Sequence, residues 1–435
     1  MSNGITRRSF MKRASTTMIG VASVPYIVPA NVFGAKAPSN KIVMGCIGMG
    51  GRGQRIAKNF MNEPDTQIVA VCDVDARHYS TAQDYVNKTY GNKDCATYDD
   101  FRKMLASQKL DAVTICTPDH WHGLISIAAA RAGCDIYCEK PLTNTIAEGR
   151  AVFDTVRRYG RVLQTGSHER SRQKARFACE LVRNGRVGKV HTIQINLPCT
   201  EKHHLAIIND KEKHPIVPVP KGFDYDFWLG HTPWEPYTPK RCHFTWRFIM
   251  NYGGGEMTDR GAHVIDLAQL GNDTDNTTPI ELEARGERPN SSLFNTFFNF
   301  TFKCRYANGV QMIGTNDGPR GVKFIGDKGW IFIHVHGGHL DAEPKSLLKE
   351  KIGHEEIQLG RSPGHQRNFL DCVKTRQKPF ASVEVGHHTA VICHLLNIAM
   401  QVERKIKWDP RREQIIGDTE ANSMLARPMR SPWQL

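Results

Sequence analysis

The feature that most constrains this chain is a glycine turn set between two periodic segments. Ile42 to Ile47 is an apolar run of strand length, Gly48-Met49-Gly50-Gly51-Arg52-Gly53 follows, and a helical pattern resumes through Ile56, Ala57 and Phe60. A G-x-G-x-x-G spacing is common on its own, but between a strand and a helix each glycine has a mechanical part. Gly48 makes the tight turn, Gly50 lets the backbone approach a pyrophosphate, and Gly53 lets the helix pack closely on the strand. The helix N-terminus adds amide donors and a partial positive charge. The next apolar run, Gln67–Cys72, ends at Asp73, twenty residues beyond Gly53. A carboxylate at that offset accepts hydrogen bonds from ribose hydroxyls and repels a 2′-phosphate, so the pattern predicts a dinucleotide site that takes NAD rather than NADP. Asp75 and Arg77 stand close enough to bear on the same choice.

Strand and helix patterns go on alternating. Asp111–Pro118 reads as a buried strand, Leu124–Gly133 as a helix closed by glycine, and Asp135–Pro141 as the next strand. A helix follows over about residues 145–159, and Arg161–Ser167 closes the series. Such alternation predicts an α/β fold with a doubly wound parallel sheet and its ligand at the strand C-termini. Thr117, Pro118, His122, Glu139 and Lys140 fall at those ends, where the reactive end of a dinucleotide lies. A chain of 435 residues exceeds one ordinary core. The alternating pattern accounts for residues 38–167 and leaves 168–435 for a second domain.

The formal net charge is +14, and Arg7, Arg8, Lys12, Arg13 and Lys36 supply five of those charges within an acid-free N-terminal stretch. Elsewhere Lys and Arg are interspersed with Asp and Glu, and no basic run is flanked by stacking aromatics, which argues against nucleic acid as a partner. Thr6-Arg7-Arg8-Ser9-Phe10-Met11-Lys12 resembles the twin-arginine export motif. A weakly apolar stretch broken by Ser, Thr and Pro follows it, and Ala35-Lys36-Ala37 offers a small-x-small cleavage site. Residues 1–37 are therefore expected to be a signal segment that engages the twin-arginine machinery and directs the chain to the periplasm or beyond. That route carries folded proteins, so a cofactor taken up in the cytoplasm can leave with the chain. It also suits the twelve cysteines, of which Cys46, Cys72, Cys116 and Cys138 sit in apparent core strands and lack any C-x-x-C spacing. Free buried thiols are expected.

In this order, G-x-G-x-x-G, "TPDHWH", "EKP" and "GGGEMTDRGAHVIDL" resemble the glucose–fructose oxidoreductase and inositol dehydrogenase family, often written Gfo/Idh/MocA. The resemblance runs from about Lys41 to the end. "DFWLG" (226–230), "TWRF" (245–248) and the closing "RPMRSPWQL" look like its exported sugar-acting bacterial members. It implies a C-terminal α+β domain built on a large, open, mainly antiparallel sheet, one face covering the nicotinamide pocket and the other often pairing subunits into a homo-oligomer. The strand-like runs Phe294–Tyr306 and Lys328–His336, and helical patterns over Lys174–Asn184 and Thr389–Val402, are compatible with that domain.

The resemblance also implies that Lys140 reaches both a substrate hydroxyl and the nicotinamide ribose, with Pro141 setting a turn. Asp259 and His263, four apart in a helical stretch after Gly253-Gly254-Gly255, share one helix face. Imidazole titrates near neutral pH, so His263 is the candidate base, with Asp259 orienting it or the substrate and Lys140 acting electrostatically. His168 and Arg170 stand just past the last strand as candidate substrate contacts. Trp246 and Arg247 are suited to stacking on and hydrogen-bonding a sugar ring, a place an ordinary core tryptophan fills equally well. His334, His336 and His339 suggest a metal, with His334 and His336 on one strand face, but no cysteine or clear carboxylate set accompanies them and no metal is expected. The pairs His203-His204 and His387-His388 are read as unrelated to metal. These residues predict an oxidoreductase with tightly held NAD, acting on a sugar, sugar derivative or cyclic polyol. Two alternatives stay open: a redox-neutral glycosidase working by transient oxidation and elimination, and a cofactor-bearing sugar-binding protein without turnover.

Overall fold

The computed structural model describes residues 41–435. The twin-arginine motif and its cleavage site lie outside the described residues. The glycine turn stands where the pattern places it, between β1 (Ile42–Ile47) and α1 (Gly51–Met61). β2 (Thr66–Cys72), α2 (Ala76–Tyr90), β3 (Ala96–Tyr98), α3 (Phe101–Ser107) and β4 (Ala112–Ile115) follow. Then come α4 (Asp119–Arg131), β5 (Asp135–Cys138), α5 (Ile146–Arg158) and β6 (Leu163–Thr165). Their order across the sheet is β3-β2-β1-β4-β5-β6, and every pairing is parallel. The order reverses between β1 and β4, which opens the crevice where doubly wound sheets take their ligands.

α4 begins at Asp119, before the stretch that the pattern marks as helix. His122 thus sits in the first turn of a helix and not on a loop at a strand end.

The second sheet runs through α6 (Gln173–Arg183) and β7 (Val190–Asn196), then two short helices, α7 (Lys202–Ile208) and α8 (Tyr225–Leu229). The single helical stretch expected after the triple glycine is two pieces, α9 (Glu256–Asp259) and α10 (Gly261–Gly271), that meet at Arg260. β8 (Glu281–Glu287), β9 (Phe298–Arg305), β10 (Gln311–Thr315), β11 (Gly321–Gly326), β12 (Gly329–His334) and β13 (Leu340–Glu343) form most of the sheet. After α11 (His365–Thr375) and α12 (Val383–Val402), β14 (Ile406–Asp409) and β15 (Gln414–Ile415) extend its far edge. The order is β13-β12-β11-β7-β10-β9-β8-β14-β15, antiparallel except for the β7–β10 pair. β9 alternates strictly, burying Phe298, Phe300, Phe302 and Cys304 and exposing the residues between them. Alternation of that kind is what a sheet with one covered face requires.

Part of the late chain returns to the first sheet. Residues 381–382 pair with the free edge of β6, where the Thr165 amide donates to the Ala381 carbonyl at 2.7 Å. Such cover removes an unpaired strand edge. Phe369 of α11 packs edge-on against Phe60 and Tyr137, with ring centres 5.9 and 6.0 Å away. Arg367 holds Asp65 through hydrogen bonds of 2.7 and 3.0 Å, and Lys374 bonds the same carboxylate. All twelve cysteines are free, as expected, and eleven are buried. No described helix is long and apolar enough to cross a membrane.

Two tests follow from the packing. A methyl group on Gly53 would lie 1.8 Å from the Gly48 carbonyl oxygen, whereas one on Gly51 meets nothing within 4 Å. Gly53→Ala should destabilise the protein by ~1–3 kcal/mol in denaturant titration and Gly51→Ala should be near neutral. Burial pushes the Asp65 carboxyl up, but its bonds to Arg367 and Lys374 outweigh this and bring it from 3.8 down to about 2. A depressed carboxylate stabilises the fold above its ordinary value and loses that contribution as pH falls through the folded one. Asp65→Asn should therefore lower the denaturation midpoint at pH 7 and leave it nearly unchanged at the acid end of that window.

Candidate functional site

One cleft of about 820 Å³ runs from Gly48 and Asp73 at one end to Asp259, His263 and His336 at the other. The first end is a cradle for a flat, anionic ligand. Gly48 has φ 82°, and a Cβ there would lie 2.6 Å from the Thr117 amide nitrogen, so only glycine fits. A Cβ on Gly50 would find its nearest neighbour, His78, 3.8 Å away, which leaves the space before this backbone open to a ligand. The N-terminus of α1 faces that space. Met49 contributes through its backbone alone: its side chain is buried in the core, and its amide donates to Asp73 Oδ2 at 2.6 Å. Asp73 Oδ1 accepts from the Asp75 amide at 2.9 Å, so the carboxylate is aimed by the chain on both sides. Asp75 caps α2 and is held bidentately by Arg77, at 3.0 and 2.6 Å. These residues fit a dinucleotide.

Midway, Arg52 reaches from the first turn of α1 to Glu139 at 2.8 Å. Burial raises the Glu139 carboxyl, but Arg52 more than reverses this, so it stays ionised. Thr117 lines the cleft with its hydroxyl unpartnered, and Pro118 lies beside it. His122 is buried, with its two ring nitrogens 2.7 and 3.0 Å from the carbonyl oxygens of Pro141 and Thr117. The ring, kept from charging by burial, donates to one of the two carbonyls and sits between the strand-end loops, one of which leads from Lys140. The Lys140–Pro141 bond is cis.

At the far end Lys140 forms a short ion pair with Asp259. Arg247 Nε lies 3.7 Å and Arg260 3.5 Å from the same carboxylate. Burial pushes Asp259 up, but these three cations drive it far below the ordinary carboxylate range. Asp119, buried in the first turn of α4, goes the other way: burial carries it well above that range despite Lys140 and Arg247. The two neighbouring carboxyls are thus pushed in opposite directions, the kind of split that acid–base sites use. His263 is buried, and burial first, then His168 and Lys140, hold it well below its ordinary value. Its imidazole is uncharged. The break at Arg260 does not separate Asp259 from His263, since both still face the cleft.

Trp246 lines the wall, and the Arg247 guanidinium stacks 4.4 Å from its ring and 5.0 Å from that of Phe244. His168, in the turn after β6, joins the cleft. Arg170 does not. Only two residues on, it is 2% exposed and bonds Asp266 at 2.8 Å and Asp275 at 2.6 and 2.8 Å. The tight turn His168–Ser171 sends alternate side chains opposite ways, which the sequence does not reveal. His336 departs from expectation too, because β12 ends at His334. The rings of His334 and His339 pair at 3.9 Å, whereas His336, at φ 64°, turns to His263, 5.1 Å between ring centres. Asp119 and Arg260, inside the "TPDHWH" and "GGGEMTDRGAHVIDL" motifs but not singled out there, also line the cleft, as do Glu201 and Arg320, which no motif marks.

Two family descriptions match this chain: "Oxidoreductase family, NAD-binding Rossmann fold" over residues 42–167 and "Oxidoreductase family, C-terminal alpha/beta domain" over residues 174–435. The chain belongs to the Gfo/Idh/MocA oxidoreductase family. A D-glucoside 3-dehydrogenase of Escherichia coli is 33% identical over 35% of this chain and 42% of its own length. The match therefore spans under half of that relative. A glycosyl hydrolase family 109 protein of Parabacteroides distasonis is 26% identical over 78% of both chains. Among solved structures, an aldose–aldose oxidoreductase from Caulobacter crescentus superposes with a TM-score of 0.60 at 19% identity, over 84% of this chain and 99% of that one. It shares the fold.

Arg170 should behave as a structural cation. Removing one partner of a buried ion pair leaves the other uncompensated at a cost of ~3–5 kcal/mol. Arg170→Met should lose about that much stability in equilibrium unfolding, with Asp266 stranded, whereas a substrate contact would leave the midpoint in place.

Proposed function

We propose that this chain is an NAD-dependent oxidoreductase of a sugar, sugar derivative or cyclic polyol, with a tightly held dinucleotide. The observation that carries this reading is the continuity of one cleft from the Gly48 cradle to Lys140, Asp259 and His263. Bound there, a nicotinamide dinucleotide supplies a two-electron acceptor for a carbon–hydrogen bond. Asp73 meets its ribose and favours NAD over NADP, the α1 N-terminus its phosphates, and Thr117, Pro118 and Glu139 flank its reactive end.

The residues of the chain do the rest. Lys140, kept in place by Asp259, sets a positive charge beside the hydroxyl oxygen that becomes a carbonyl. His263 accepts the hydroxyl proton, and the two groups work as one relay. His168, Trp246 and Arg247 form the wall for the ring. The dehydrogenase among the relatives supports this reading. The family 109 relative, matched over a larger share of both chains, favours a second one, in which the same site oxidises the ring transiently, eliminates an aglycone, adds water in its place and returns the hydride, ending redox-neutral. Export rests on Thr6–Lys12, and self-association on the open face of the second sheet.

Protein purified without added nucleotide should release NAD on denaturation, identified by chromatography. Lys140→Ala should cut turnover by ~10²–10⁴ and leave nucleotide content nearly unchanged. Sugar oxidation with stoichiometric NADH selects the dehydrogenase, and aryl-glycoside cleavage without NADH build-up selects the glycosidase. Full activity of Lys140→Ala removes Lys140 from the mechanism.

A further inference from the structure

The structure brings together three histidines that are far apart in sequence. His168 comes from the turn after β6, His263 from α10, and His336 from the turn after β12. Each offers one ring nitrogen, and the three atoms lie within 4.8 Å of one another. Their ring centres are 4.6, 5.1 and 5.9 Å apart. Three imidazoles arranged tetrahedrally about one ion, with metal–nitrogen distances of ~2.0–2.1 Å, have ring centres about 5 Å apart. We propose that His168, His263 and His336 hold a divalent transition-metal ion, zinc-like in its preference for nitrogen, at the substrate end of the cleft.

Three further observations support the site. The Nδ1 atom of His263 is buried and has no hydrogen-bond partner. Buried polar atoms of this kind ordinarily have one. Glu169 lies 3.3 Å from His168 Nε2 and is anchored by Arg172 at 2.8 Å, which leaves His168 Nδ1, 3.3 Å from the Gly166 carbonyl oxygen, as the nitrogen that turns to the ion. A carboxylate behind an imidazole is the usual outer support of a metal-bound histidine. His336 adopts φ 64°, a left-handed conformation uncommon outside glycine, and so turns toward His168 and His263 while its strand neighbour His334 pairs with His339.

Two other trios come close, but their members are already committed. Asp75 is spent on Arg77 and the α2 cap, and Asp210 on His214 and Ser291.

Three protein ligands leave coordination positions open, the pattern of catalytic rather than structural sites. The ligand class that fills them is a pair of neighbouring oxygens, as in vicinal ring hydroxyls. The ion orients such a pair against Lys140 and polarises the oxygen it touches. This inference rests on the reading above for where the substrate sits, and it changes the part of His263. An imidazole bound to the ion no longer accepts a proton; the ion instead acidifies the hydroxyl it touches, whose proton passes to solvent water while the hydride goes to the nicotinamide.

The test uses the full chain, purified without chelators, with metal measured by inductively coupled plasma mass spectrometry and nucleotide by chromatography on the same sample. Zn(II) dialysis and a Co(II) titration followed by visible absorption complete it. The expected result is about one ion per chain and the intense visible bands of low-coordinate Co(II). Both should be lost in His336→Ala and His168→Ala and kept in His334→Ala, with nucleotide content unchanged in all three. His336 is exposed, so its variant tests the site without disturbing the core, and circular dichroism checks that it folds. Failure of the folded, nucleotide-loaded protein to take up either ion overturns the proposal, as does binding that survives His336→Ala. A protein that binds the ion but no nicotinamide nucleotide overturns the functional reading and leaves the metal site standing.

Discussion

The ion pair between Lys140 and Asp259 ties the two sheets together at the point where chemistry is possible. Lys140 stands at the end of β5 in the first domain, and Asp259 closes α9 in the second. Both side chains are less than one-fifth exposed. A charge pair shielded to that degree is tolerated only when its geometry is well satisfied, because each ion gives up much of its hydration. The cis Lys140–Pro141 turn, backed by His122, and the Arg247 and Arg260 cations around Asp259 supply that geometry. The pair thus fixes the position of the ammonium group and, with it, where a substrate oxygen comes to rest.

Around this pair the cleft sorts its titratable groups by burial and neighbour. Asp259, surrounded by cations, is held far down, and Asp119, more deeply buried and less well served, is pushed up. Burial lowers His263, and His336, though more exposed, is brought down to about 4 by partial loss of hydration within the cleft, with Glu169 working the other way. The far end of the cleft therefore combines a fixed ammonium group with uncharged imidazoles. That combination suits the polarisation of a hydroxyl, whether the imidazoles take a proton or hold an ion.

Much of the first domain was legible because its signals are local. The strand–glycine–helix run needs only neighbours in sequence, and the clash that a Cβ at Gly53 would make with Gly48 explains why the spacing is strict. Asp73 was found at its offset because a parallel strand of set length leads to it. The large mixed sheet was expected through family resemblance, and strict alternation in β9 alone pointed the same way. Arg170 and His336 were misjudged for one reason. Each sits in a tight turn, where the direction of a side chain depends on dihedral angles that composition does not report. His122 was placed in the right region, and the carbonyls that face its nitrogens come from two separate loops, which no local pattern shows.

The sequence by itself determined the dinucleotide fold and the free buried thiols, and it singled out Lys140, Asp259 and His263, which the structure brings into one cleft, because these follow from short-range pattern and from motifs read in order. Only the tertiary structure decided that Arg170 belongs to the core, that Arg52 answers Glu139, and that His168, His263 and His336 converge. Those outcomes depend on how β6, α10 and the turn after β12 pack against one another. Contacts between residues seventy or more positions apart are set by the closing of the core, and no local spacing carries that information.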